Sequence, residues 1–104
     1  MNHTPQRLQH LATRMGLTAV LDASGGYDVV RVIVTNRQRA EVFDPANDAE
    51  QSMAVLCWLI AHGKYVHIKR NIVDTWIGSC LHDNTPPSLR AAILAAALRV
   101  AGET

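Results

Sequence analysis

Charge of one sign is scarce in this chain. Ten Lys and Arg stand against nine Asp and Glu, a formal net charge of +1 at pH 7 over 104 residues. Binders that rely on bulk electrostatics, whether for nucleic acid or for membrane surfaces, carry a clear basic excess, so that class is disfavoured. Long apolar runs are lacking too. The longest, around Met53 to Ile60, falls far short of the ~20 residues of a membrane-spanning helix. Met1 to Leu11 is polar, without the apolar core of a secretory signal, and none is expected. Cysteine is limited to Cys57 and Cys80, both inside apolar segments. The expectation is two buried free thiols in a reducing cytoplasm, not a disulfide framework.

Chemical signatures are equally sparse. Five histidines and two cysteines invite a metal hypothesis, but Cys57 with His62, and Cys80 with His82, match no recognised ligand spacing. Ser24-Gly25-Gly26 lies between strands, without the helix N-terminus that makes a glycine-rich loop bind phosphate. Cys80 beside His82-Asp83 resembles a nucleophile with a base, yet it sits in an apolar strand, where a thiolate is disfavoured. Asp44 and Asp48 are explained by a helix start. No enzyme, cofactor or metal site is expected. A small metal-dependent enzyme using Cys57, Cys80, His67 or His82 is the weakest of three functional readings.

What is present is structure. Hydrophobic residues make up 48% of the chain, and its length suits one domain able to bury a single core. Thr4-Pro5 starts a helix, with Leu8, Leu11, Ala12 and Met15 in one stripe and Gly16 placed to end it. Leu17 to Leu21, the β-branched Val29 to Thr35, and Arg39 to Phe43 read as three strands. Pro45 stops the third, and Asp48 with Gln51, or Asn47 with Glu50, has capping-box spacing for a second helix to about His62. Met53, Leu56, Cys57 and Ile60 form one stripe of it, and Val55, Trp58 and Leu59 fill much of the rest. A helix apolar on more than one side is deeply packed or carries an interface. Trp58 and Met53 are therefore candidates for a homodimer contact, Trp58 with partial exposure.

Tyr65 to Arg70 alternates as a strand, Ile72 to Leu81 reads as its partner, and Gly78 marks a bulge or a close backbone approach. Thr85-Pro86 starts a last helix, ended near Gly102, whose alanines permit close packing on a sheet. The predicted order is α-β-β-β-α-β-β-α, an α+β domain with a mainly antiparallel sheet, covered by helices on both faces as a three-layer α/β/α sandwich. Basic residues gather at two hairpins, Arg37 and Arg39 in one, Lys64, Lys69 and Arg70 in the other, beside Tyr65 and Trp76. Arg37, Arg39, Tyr65, Lys69 and Arg70 are the predicted partner contacts.

Two segments resemble a known family. Phe43-Asp44-Pro45-Ala46-Asn47-Asp48 before an apolar helix is similar to the second-helix start of the phage ABA sandwich proteins. Asp83 to Leu98, with Thr85-Pro86, Ala92-Ile93 and Ala96-Ala97-Leu98, resembles their final helix. Met15-Gly16-Leu17 stands where such proteins tend to have Met-Gly-Trp, Leu17 replacing the aromatic. The resemblance implies a phage or prophage accessory protein with an α/β/α fold, acting in the host bacterial cytosol, and carries over no catalytic residue. It further implies a binding protein that blocks a host defence complex, as anti-CRISPR proteins do. The runner-up reading is a nucleic-acid-binding accessory protein using the same basic residues.

Overall fold

The computed structural model describes residues 4–23, 30–36, 39–62 and 65–103. The elements are α1 (Pro5–Arg14), β1 (Thr18–Asp22), β2 (Arg31–Asn36), β3 (Arg39–Val42), α2 (Ala49–His62), β4 (Val66–Ile68), β5 (Ile72–Thr75), β6 (Ser79–Leu81) and α3 (Pro86–Glu103). The α+β class and the order of elements are those expected, save that Ile72–Leu81 holds two strands. The strands form two antiparallel sheets, β1-β2-β3 and β4-β5-β6, where one was expected. The chain divides accordingly into two units, Met1–Phe43 and Asp44–Thr104. No helix among the described residues is long and apolar enough to cross a membrane.

In the first unit, the Thr4 hydroxyl accepts from the Arg7 N–H at 3.3 Å and Pro5 opens α1. Gly16, at φ +86°, ends it with the Leu17 N–H donating back to the Ala12 carbonyl. L-residues avoid that conformation, hence the glycine. The helix buries Leu11 and Ala12 against β1 and β2, with Val32, Val34 and Phe43 completing the core. The opposite sheet face carries the cross-strand row Val20, Ile33 and Val42. Val20 and Val42 are 54% and 40% exposed, so this face is more open than the β-branched sequence of β2 suggests.

In the second unit, Asp48 caps α2, its carboxylate accepting from the Gln51 N–H at 3.0 Å. The Gln51 side chain reaches back to the Asp44 N–H, four residues before the N-cap N–H that it would meet in a standard capping box. α3 is the central element. It packs on β5 and β6 and also against α2, which explains why Ala92 through Leu98, Val100 and Ala101 are all buried. Small side chains allow these close approaches on both sides. The β5–β6 connection is a two-residue loop, Trp76-Ile77, closed by Thr75 N–H to Gly78 carbonyl and Gly78 N–H to Thr75 carbonyl bonds of 2.9 and 3.2 Å. The Thr75 hydroxyl also accepts from the Ile77 N–H. The bulge or close backbone approach expected at Gly78 is not found: the pairing runs regularly through Thr75 and Gly78, and the neighbour nearest to where a Cβ would stand is the Arg99 guanidinium, a side chain, at 3.3 Å.

Two expectations about α2 are corrected. Trp58 is buried, at 7% exposure, and stacks on His62 with ring centroids 5.0 Å apart. Cys57 is exposed while only Cys80 is buried. The buried face of α2 is Gln51, Ser52, Val55, Trp58 and Leu59, so the Met53–Ile60 stripe is not the one that faces the core.

Candidate partner-binding face

The predicted contact residues fall in both units. Arg39 begins β3 opposite Asn36 and is exposed; Arg37 lies outside the described residues, as does Lys64. Tyr65, Lys69 and Arg70 belong to the second unit and to one sheet face and its adjoining turn.

Strand alternation separates the two faces of that sheet. Val73, Thr75 and Cys80 point to α3 and are buried. Register places His67 beside Asp74 and Asp74 beside Ser79, with Ile72 opposite Leu81, on the outer face. Leu81 is 77% exposed and Tyr65 42%. The Tyr65 hydroxyl donates to the Thr75 carbonyl at 3.0 Å, and its ring meets that of His67 at 5.2 Å in a tilted contact. The aromatic ring is thus held at one end of β4, and Lys69 and Arg70 follow at the other.

His82 fixes that second end. It is 7% exposed. Its Nδ1 accepts from the Asn84 N–H at 3.1 Å, which assigns the proton to Nε2, and Nε2 donates to the Lys69 carbonyl at 2.9 Å. The His82 N–H donates to the Asn71 carbonyl, and the Lys69 N–H to the Ile72 carbonyl. The turn that presents Lys69 and Arg70 is therefore clamped from β4 and from the chain after β6. Sequence reasoning placed His82 among metal ligands or bases; both ring nitrogens are engaged in holding backbone. The signal that could have found this role is a lone histidine just past an apolar strand.

The same region shows what chemistry the arrangement can do. Ser79, Asp74 and His67 stand in one cross-strand row, but the Ser79 hydroxyl donates to the Asp74 carboxylate at 2.7 Å. A Ser-His-Asp nucleophile needs imidazole on the hydroxyl, and here the order is different. Burial pushes the Cys80 thiol above its usual range, only partly opposed by the Arg99 guanidinium, so Cys80 stays a protonated thiol. Among the described residues, no three His, Cys, Asp or Glu side chains gather as a metal site. The face presents one exposed leucine, one exposed tyrosine and two basic residues on a clamped turn. Compared with protein-family models, curated proteins and solved structures, the chain matches none.

Proposed function

We propose that the protein acts by binding a protein partner through the outer face of its second sheet, with Tyr65, Lys69, Arg70 and Leu81 as contacts. The observation that carries this reading is the clamped turn. His82 and the β4–β5 backbone bonds hold Lys69 and Arg70 beside a face bearing Leu81 at 77% exposure. Tyrosine and arginine are enriched at interface hot spots, and a fixed backbone lowers the ordering cost of binding. Arg39 is a further proposed contact, on the first unit. The near-neutral total charge favours a protein over bulk nucleic acid.

The partner we propose is a bacterial host defence complex, such as a CRISPR effector, blocked sterically by a phage-encoded inhibitor in the host cytosol. Its support is the resemblance of Phe43–Asp48 and Asp83–Leu98 to phage ABA sandwich proteins. Pull-down from a defended host, with phage plating on that host as readout, tests it. Recovery of a defence component by the wild type and its loss with Lys69→Glu/Arg70→Glu is expected. Unchanged plating with no defence component recovered rejects the reading.

A second reading rests on the Tyr65–His67 ring pair beside Lys69 and Arg70, a stacking surface next to cations that suits single-stranded nucleic acid. It requires binding to short RNA or DNA that weakens with salt, at a log–log slope of roughly −0.7 per phosphate contacted.

A further inference from the structure

Ser52, in the first turn of α2, is a buried residue, 4% exposed, and its backbone N–H donates to the Asp48 carbonyl at 2.9 Å. Its hydroxyl meets no hydrogen-bond partner among the described residues. A helical hydroxyl often bonds the carbonyl four residues back, as Thr13 does to Gln9 at 2.9 Å; Ser52 does not. A buried hydroxyl left unbonded costs stability. Such a group marks a place where something from outside the chain completes the bonding.

Ser52 lines a groove of about 220 Å³ between α2 and α3. Ala49 and Pro86, the first residues of the two helices, are part of its lining, so the groove opens at the helix starts. Met53, Leu56, Leu89 and Ile93 give it apolar walls, and Arg90 supplies a positive charge. The Arg90 Nε donates to the Ala46 carbonyl at 3.2 Å, which holds the guanidinium at the starting end of α2. Its two terminal nitrogens have no acceptor, and Arg90 forms no ion pair, among the described residues. The carboxylates before α2 are engaged elsewhere: Asp44 accepts from the Asn47 side-chain amide and Asp48 from the Gln51 N–H.

The donor set decides the ligand. One hydroxyl and two guanidinium nitrogens offer hydrogen bonds and a positive charge, which a carboxylate answers with two acceptor oxygens. The starts of two helices add dipoles of the same favourable sign. Leu56 and Ile93 stand about 10 Å further along their helices than Ala49 and Pro86, so the far end is apolar and suits a hydrocarbon tail. Volume sets the length of that tail. A cavity of about 150 Å³ holds benzene, which scales to roughly eight or nine non-hydrogen atoms in 220 Å³. A six-carbon monocarboxylate has that size.

We propose that the groove between α2 and α3 binds a short aliphatic monocarboxylate, its carboxylate on the Ser52 hydroxyl and the Arg90 guanidinium, its tail against Leu56 and Ile93. The site lies on other elements than the outer sheet face and does not depend on that reading.

Titration of the full, isotope-labelled chain with n-hexanoate at neutral pH, followed in a proton–nitrogen correlation spectrum, tests it. Saturable shifts confined to the amides of residues 49–56 and 89–93 are expected, with a Kd on the order of 1 mM. 1-Hexanol and hexylamine keep the tail and lose the carboxylate, and are expected to bind at least about tenfold more weakly. Arg90→Gln is expected to weaken hexanoate about tenfold, and Ser52→Ala about threefold or more. Ser52→Ala is also expected to leave the urea midpoint unchanged or raised, because it removes a hydroxyl that nothing in the chain bonds. Absence of groove shifts at ten times that concentration, hexanol binding as tight as hexanoate, or wild-type affinity in both variants overturns the proposal. So does a lowered urea midpoint in Ser52→Ala.

Discussion

Asp83 and the two cysteines show how little of a residue's chemistry follows from its type. Asp83 accepts from the Thr85 N–H at 3.0 Å and from the Thr85 hydroxyl, while its own N–H donates to the Ser88 hydroxyl. The Thr85 hydroxyl bond, then the Thr85 backbone bond, hold its carboxyl below the ordinary value of 3.8. A carboxyl depressed in the folded state favours folding above the unfolded pKa, and that contribution is lost as pH falls through the folded one. Asp83→Asn should therefore lower stability at neutral pH and flatten its decline below about pH 4, read from urea midpoints across that range. An unchanged slope would show that the carboxylate is not engaged. Cys57 and Cys80 both lie in apolar sequence, yet Cys57 is exposed and Cys80 is buried with a raised pKa. A thiol reagent added to folded protein should titrate one thiol quickly and the second only after denaturant. Cys57→Ser should remove the fast phase, and equal rates for both thiols would contradict the burial.

At the scale of elements, what was legible in the sequence is what is local. Thr4-Pro5, Gly16, Asp48 with Gln51, and Thr85-Pro86 each act within a few residues, and each bounds a helix where expected. Asp48, Asp83, Thr85 and Ser88 bond backbone or one another at helix starts, and the Asp44 carboxylate accepts from the Asn47 side-chain amide. The β5–β6 loop was not legible because Trp76 and Ile77 are strand formers and the loop is closed by a Thr75 hydroxyl and backbone bonds. Nor could periodicity choose between the two apolar faces of α2. Met53-Leu56-Cys57-Ile60 and Ser52-Val55-Leu59 both repeat at helical spacing, and tertiary packing decides that the second faces the core. In the candidate site, the basic and aromatic residues were legible by type; the clamp by His82, thirteen residues from the Lys69 carbonyl it holds, was not. α3 offers the sharpest test at this scale. Ala97 is fully buried in a helix packed on both β5–β6 and α2. Ala97→Leu should destabilise by about 1–3 kcal/mol through overpacking, measured by urea melts. Ala91→Leu, at an exposed position, should cost less than about 0.5 kcal/mol.

For the whole molecule, the net charge of +1 is an average over unlike regions. α2 is uncharged between Glu50 and His62, whereas the β4–β5 turn presents Lys69 and Arg70 together. The division into Met1–Phe43 and Asp44–Thr104 has a thermodynamic consequence as well. Every element packed on α3 with a substantial contact, namely α2, β5 and β6, lies in the second unit, as do most of the buried apolar residues. Among the described residues, the first unit buries Leu11, Ala12, Val32, Val34 and Phe43 to order one helix and three strands. Chains of about 60 residues can fold alone, whereas those near 40 usually need a staple or a partner, and the described cysteines are free. A fragment of residues 44–104 should therefore keep a helical far-ultraviolet spectrum and melt cooperatively in urea. A fragment of residues 1–43 should give the spectrum of an unfolded chain. If the larger fragment proves unfolded, α3 does not complete its core within its own unit. A folded smaller fragment would mean that α1 on a three-stranded sheet suffices, because the buried Leu11 and Phe43 contacts outweigh the ordering cost of the hairpins.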